Sequence, residues 1–346
     1  MARRHALRVL ASLGTVLAGL ALTSASFAQD GVALTAIPIP TAGGKTLAAD
    51  ILDVDQQAHR LYVTDKASGG VDVFDVTTPT AKFVKTIPTS DDANGITVAN
   101  AVHKLYTGLS DGTVAIIDIN VGSPTYETVI AQPNTQGEGR ADEMDFNPVD
   151  LQLWVANSED HFVSVIDGRT DQIIAQIDGL GPLLEQFRFN AADGMMYLSG
   201  SDGTLYKFDP KRLTLVQTWT LDPTCTPNGL AINPVTNQAL LGCRNRTNVT
   251  NTEIWDLAAG RVVQRIEEFG GMDGGGYYPV ADRFIMYGSL PAPSIGIFSG
   301  GPDVRLLATV PLPARGNVAF DETNRIVYAA NQSPNQPSIW SFPLPA

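Results

Sequence analysis

The stretch "LWVANSEDHFVSVIDGRTDQIIAQI", Leu153 to Ile177, decides how the chain folds. It reads as three short strands in succession: "QLWVAN" from Gln152, an alternating "VSVID" ending at Asp167, and "DQIIAQI" from Asp171. Turn residues separate them, and no long segment of the chain shows clean helical periodicity, so an all-β fold follows. The same pattern recurs along the chain. "RLYVTD" at Arg60 aligns with "KLYTGL" at Lys104, "QLWVAN" at Gln152, "MMYLSG" at Met195, "QALLGC" at Gln238, "RFIMYG" at Arg283 and "RIVYAA" at Arg325. The anchors Leu61, Leu105, Leu153, Met196, Ala239, Phe284 and Ile326 lie 44, 48, 43, 43, 45 and 42 residues apart. Seven units of this length, each with four strands, predict a seven-bladed β-propeller.

Within a unit the third strand usually ends in Asp, at Asp75, Asp118, Asp167, Asp209 and Asp256, with Ser299 and Ser341 in that place in the last two units. An Asp there is expected to accept backbone N–H bonds in the following turn, which gives these five acids a structural job. "SDGT" occurs twice, at Ser110–Thr113 and Ser201–Thr204, two units apart. Both copies read as tight hairpin turns between second and third strands, with Gly112 and Gly203 at positive φ, and not as catalytic serine motifs. The chain stops after a third strand, "SIWSF" from Ser338, while "LTAIPIP" from Leu34 closely matches "LATVPLP" from Leu307, a fourth strand. The N-terminal strand is therefore expected to close the last blade, removing an exposed sheet edge. Trp154, Trp219, Trp255 and Trp340 fall on strands and are expected to pack between blades.

The segment from Leu153 to Ile177, with "LYVTDKASGGVDVFDV" from Leu61, resembles the repeat of the YVTN-type seven-bladed propeller proteins. Units one to four match well; unit five carries the insertion "NRTNVTNT", and units six and seven are degenerate. The resemblance implies a periplasmic or extracellular propeller. That family is functionally broad, including lactonase-like members and interaction modules, so function has to be argued from the site.

The first 28 residues, three arginines followed by an apolar run from Val9 to Leu22 and small residues up to Ala28, read as a signal peptide cleaved before Gln29. Arg3-Arg4 also loosely fits a twin-arginine leader. The expected domains are thus a leader, 1–28, and one propeller, 29–346, periplasmic or secreted. Three of the 23 basic residues and none of the 36 acids fall in the leader, so the remainder carries 20 against 36, a net charge of −16. Such a chain repels phosphate backbones, and nucleic acid is not an expected partner. No apolar run reaches spanning length, so no membrane span is expected, and the propeller reads as a monomer. Cys225 and Cys243 are the two cysteines, read in an exported protein as a disulfide. No haem-attachment, HExxH, GxSxG or Walker motif occurs, and the glycine-dense "GGMDGGGYY" from Gly270 lacks the Lys of a phosphate loop.

Counting back eleven residues from each anchor reaches Asp50, Asn94, Asp142, Glu185, Asn228, Asp273 and Arg315. All are polar within otherwise apolar inner strands, and they are expected to ring the mouth of the central channel. In the last two blades a one-residue slip would put Gly274 and Gly316 there instead. Asp50, Asn94, Asp142, Glu185 and Asn228 offer the oxygens that a divalent cation such as Ca²⁺ prefers. Asp273, Arg315, Asp111 and Asp202 would rim the same face. "PNGLAINP" from Pro227 resembles the Asn-bearing segment of gluconolactonase-type propellers, which implies an ion at Asn228; the sequence departs from that family in lacking a clear counterpart of its glutamate-bearing first segment, Glu138 and Glu143 being the nearest acids. His161, in the loop between second and third strands, is the candidate general base. His59 and His103 share one repeat position and read as turn residues. The first functional expectation is an exported binding or scaffold protein that engages an envelope protein or a small ligand at this face. The alternatives are a metal-assisted lactonase or esterase, with Ca²⁺ as its possible cofactor, and a propeller subunit of a periplasmic redox complex.

Overall fold

In the computed structural model, the structure describes residues 26–29, 32–39, 48–244, 250–313, 316–331 and 338–345. Among them lie seven antiparallel sheets, and the only helical element is one 3₁₀ turn, Asn100–Val102. Six sheets are simple meanders of four strands in chain order. The innermost strands run Ala49–Asp55, Ala93–Ala99, Ala141–Asn147, Leu184–Asn190, Pro227–Asn233, Gly270–Tyr278 and Val318–Asp321. The seventh sheet is closed from the other end of the chain. Val32–Pro38 pairs antiparallel with Ser338–Pro343, Thr35 facing Ser341 and Ile37 facing Ile339. The expected seven-bladed propeller with an N-terminal closing strand is the observed fold.

The core is divided among the blade interfaces. Seven clusters of buried apolar side chains occur among the described residues, each joining two neighbouring blades. Trp154, fully buried, packs its ring against Phe187 and Phe208 of the next blade at 5.5–6.1 Å between centroids. Trp255 and Trp340 are also buried, and Trp219 sits edge-on to Trp255. The four tryptophans thus do what their strand positions predict.

Turn chemistry repeats as regularly as the core. The Asp closing the third strand of blades one to five accepts backbone N–H bonds from two or three residues on: Asp75 from Thr77, Asp118 from Asn120, Asp167 from Arg169, Asp209 from Lys211, and Asp256 from Ala258. These are Asx turns. The residue preceding each second strand takes a left-handed conformation: His59, His103, Leu151, Gly194, Asn237, Asp282 and Arg325, with φ between 51° and 69°. His59 and His103 are accounted for as two members of this set. In both "SDGT" turns the glycine has positive φ, 77° at Gly112 and 91° at Gly203.

The left-handed Arg325 exposes a slip in blade seven. In the other blades this residue stands two before the anchor, so the structural anchor here is Val327, which pairs with Phe320 as Leu153 pairs with Phe146. The seventh ring position therefore belongs to Gly316; Arg315 itself lies outside the described residues. Blade six keeps its expected register, Tyr277 facing Phe284.

Every outermost strand of blades one to six carries a β-bulge. The residue skipped by the pairing is, in order, Val84, Ile130, Ile174, Val216, Val263 and Leu307, each an exposed aliphatic. Bulges at sheet edges twist the strand away from edge-to-edge pairing, which offsets the hazard of apolar side chains there. The closing strand Val32–Pro38 pairs without such a shift, and a fifth strand, Ser26–Gln29, lies on its outer edge. The expected cleavage before Gln29 falls inside that fifth strand. The predicted disulfide is present: Cys225 and Cys243 are bonded, both buried, 18 residues apart, with Cα atoms 4.5 Å apart. Closing a loop of that size contributes about 3 kcal/mol by chain entropy.

Candidate functional site: an acidic channel in two tiers

Each innermost strand of blades one to six is bulged near its start, which turns successive side chains toward the central channel. In blade one the hydroxyl of Thr64 fills the bulge, accepting the N–H of Ile51 at 3.0 Å; in blade four Ser199 accepts from Gln186 at 3.2 Å. The upper tier is the predicted ring. Asp50, Asn94, Asp142, Glu185 and Asn228 stand at the second position of their strands, Asp273 at the fourth of its longer one.

Their charges act on one another. Glu185 is raised to about 8 by burial first, then by the negative charges of Asp273 and Asp142, against a hydrogen bond from Ser201 and the cation of Arg140. Asp142 and Glu143 are both raised, chiefly by burial; Asp50 adds to each, and Asp142 to Glu143. Two cations offset the excess: Arg140 lies 3.0 Å from Asp142 and 3.5 Å from Glu159, and Lys66 lies 3.6 Å from Asp50. The neutral ring members sit between the acids. Asn94, fully buried, donates to Ser110 at 3.2 Å, while its carbonyl oxygen has no partner among the described residues. The first "SDGT" serine thus supports the ring residue of its own blade, Ser110 with Asn94, while in the second copy the Ser201 hydroxyl donates to the carbonyl of Leu183 at 3.5 Å.

The predicted rim residues have simpler roles. Asp111 is exposed and accepts from the backbone and hydroxyl of Thr113 at 3.0 and 2.6 Å. Asp202 is likewise exposed at the second hairpin. His161 is exposed at the left-handed end of its turn, φ 62°, and does not line the central cavity; the neighbouring Asp160 instead holds the loop at Glu138 and Gly139 through their N–H groups. The grouping of three metal-ligand-type side chains found among the described residues is Cys225, Cys243 and Glu253, and its sulfurs are joined to each other. The ring carboxylates form no such group: no three of them offer oxygens all within 4.8 Å of one another.

Below the ring lies a cavity of about 180 Å³ in the channel. Its walls include Ile51, Glu143, Gln186, Gly274 and Asn317, all one residue after the ring position, and Asp53, Thr97, Asp145, Arg188 and Gly276, three after it. This lower tier also straps the blades together. Asp53 accepts the N–H of Val98 in blade two at 2.8 Å, and Asp145 that of Phe189 in blade four at 2.7 Å. Gln186 accepts from Leu230 in blade five at 3.1 Å and donates to the carbonyl of Asp273 at 2.9 Å. Arg188 crosses the channel to the carbonyl of Gly275 in blade six at 2.8 Å. Burial pushes the Asp53 carboxyl up to about 6, against its two backbone hydrogen bonds, and raises Asp145 as well, with Arg188 holding it down.

Of this lower tier the sequence reading named Glu143 and Gly274 but missed the charged position two residues further on, although the signal was present. Asp53, Asp145 and Arg188 each stand eight residues before their anchor, three charges at one repeat position inside apolar strands. Glycine shapes the tier too. A Cβ on Gly95 would lie 2.1 Å from the carbonyl oxygen of Asp142 in the next blade, and one on Gly274 would lie 1.3 Å from Oδ1 of Asn317.

No protein-family model matches the chain, and no curated protein matches it. A chain in a crystal structure of the mitotic checkpoint complex is similar in shape, with a TM-score of 0.71 and 14% sequence identity, over 100% of this chain and 99% of that one. At that identity the likeness establishes the propeller fold and nothing finer.

Proposed function

We propose that the protein is an exported binding or scaffold module of the cell envelope that engages a basic partner at the channel mouth. The observation that carries this is the upper tier: Asp50, Asp142, Glu185 and Asp273 at one opening, with Arg140 and Lys66 as the cations beside them. Carboxyls raised by partial burial and by one another are relieved when a cation arrives, so the mouth favours Lys- or Arg-bearing surfaces. Export rests on the leader-like first 28 residues, and membership among YVTN-type propellers rests on the repeat. No helix among the described residues is long and apolar enough to cross a membrane.

The test uses an octalysine peptide as probe. Saturable binding at pH 9, where Glu185 is ionised, that weakens steeply with salt and weakens further in Glu185→Gln and Asp142→Asn supports the reading. Equal affinity for octaglutamate removes it.

A second reading is a divalent ion on the upper tier serving a lactonase. The donor types are those Ca²⁺ takes, carboxylates and amide oxygens, although no three ring carboxylates offer oxygens within 4.8 Å of one another. Asp142, Glu185 and the carbonyl oxygen of Asn94 would hold it, and it would supply Lewis-acid polarisation of an ester carbonyl. His161, exposed outside the cavity, is poorly placed as the base of such a reaction. A Ca²⁺-dependent rise in melting temperature, lost in Asp142→Asn, would favour this reading over the first.

A further inference from the structure

Beneath the mouth, the channel cavity has the features of a small-ligand site in its own right. Its acidic wall, Asp53, Glu143 and Asp145, faces a single cation, Arg188. That cation is already committed: its guanidinium donates to the carbonyls of Phe187 and Gly275 and to the side-chain oxygen of Gln186. It therefore neutralises charge without offering a free fork to an incoming anion. Asp53 and Asp145 each receive one backbone N–H on each oxygen, which leaves further lone pairs on those oxygens.

An independent feature borders the same space. Asn317, 5% exposed, lines the cavity, and its carbonyl oxygen is buried with no hydrogen-bond partner. A buried acceptor without a donor is unfavourable, and a donor brought close to it would relieve that. The oxygen occupies the space that a side chain on Gly274, another wall residue, would fill. Ile51, Ile96, Val318 and the ring of Tyr278 make the rest of the wall apolar or aromatic.

The geometry points to a site for a compact primary alkylammonium, its head among Asp53, Asp145 and the carbonyl of Asn317 and its short chain on Ile51, Ile96 and Val318. A bare divalent ion fits less well, because it needs several oxygens at 2.3–2.6 Å, whereas no three carboxylates here converge within 4.8 Å. The volume, about 180 Å³, equals roughly six water molecules, the size of a short amine. The inference does not depend on a protein partner at the mouth.

The experiment is calorimetric titration of the full chain with n-butylammonium chloride, with 1-butanol and CaCl₂ as parallel probes. The expected result is saturable butylammonium binding at about millimolar affinity, none of 1-butanol, and at least a roughly tenfold loss in Asp145→Asn. Because Asp145 also straps two blades, Asn317→Leu serves as the second variant. It removes the orphan acceptor and fills the cavity while leaving those straps in place, and it should abolish binding. Absence of saturable binding by the wild type up to roughly ten times that affinity overturns the inference. So does butylammonium binding that Asn317→Leu leaves intact, or Ca²⁺ binding that the same variants remove. Octalysine binding at the mouth is read separately, so either reading can fail alone.

Discussion

Replacing Glu185 by Gln should make the protein more stable at high pH and leave it nearly unchanged at low pH. In the folded chain this carboxyl is raised from 4.5 to about 8, first by burial and then by Asp273 and Asp142. A folded pKa above the unfolded one means that the folded state keeps a proton the unfolded state has lost. Stability therefore falls as pH rises from about 4.5, and the loss is complete near 8. At 1.36 kcal/mol per pH unit the ceiling is about 4–5 kcal/mol. The side chain sits at a water-accessible mouth beside Arg140, so an effective loss of about 1–2 kcal/mol is expected once solvent screening is included. For a chain of this length that is about 2–3 °C in melting temperature. The assay is a pair of melting series, wild type and Glu185→Gln, from pH 5 to pH 9. The curves should meet near pH 5, diverge through pH 8 with the variant higher, and run parallel beyond. Parallel curves throughout, or a variant less stable at pH 9, would refute the raised Glu185 carboxyl on which the reading of the mouth rests.

Other outcomes follow from the packing. Gly95→Ala should destabilise by about 3 kcal/mol, the upper end for overpacking, because its Cβ would meet the carbonyl of Asp142 at 2.1 Å; a urea midpoint within error of wild type would contradict that close approach. Trp154→Ala should cost about 3–5 kcal/mol by emptying the interface it shares with Phe187 and Phe208, read by the same denaturation. Replacing Cys225 and Cys243 together by Ala should cost about 3 kcal/mol, with no change in spectrum below the transition. Deleting residues 29–39 exposes the faces that Leu34, Ile37 and Ile39 cover, each worth about 1.5–3 kcal/mol, and should yield aggregated protein; a soluble chain with a wild-type melt would contradict closure by the N-terminal strand.

The fold was legible because its signal is repeated. Seven alignable strands and five Asp-terminated hairpins over-determine the blades, and the match of "LTAIPIP" to "LATVPLP" reveals the closure. The ring of Asp50, Asn94, Asp142, Glu185 and Asn228 was legible for the same reason, since counting from an anchor carries it around the channel. Blade seven was misregistered because "RIVYAA" offers Ile326 and Val327 as equally apolar anchors, and only the left-handed Arg325 separates them. Asp53, Asp145 and Arg188 were passed over because bulges place them three residues past the ring, where simple strand alternation points the other way. The fifth strand and the edge bulges belong to pairing geometry, which an apolar residue such as Val84 or Ile174 does not announce.

The central claim is that the channel mouth is a cation-binding surface. Its most direct measurement is the affinity of octalysine, at pH 9 where both carboxyls are ionised, for the wild type and for the Asp142→Asn, Glu185→Gln double variant across a salt series. Binding that is saturable at low salt, falls steeply as salt rises, and is at least about tenfold weaker in the double variant is the predicted result. Affinity unchanged by the double substitution would contradict it.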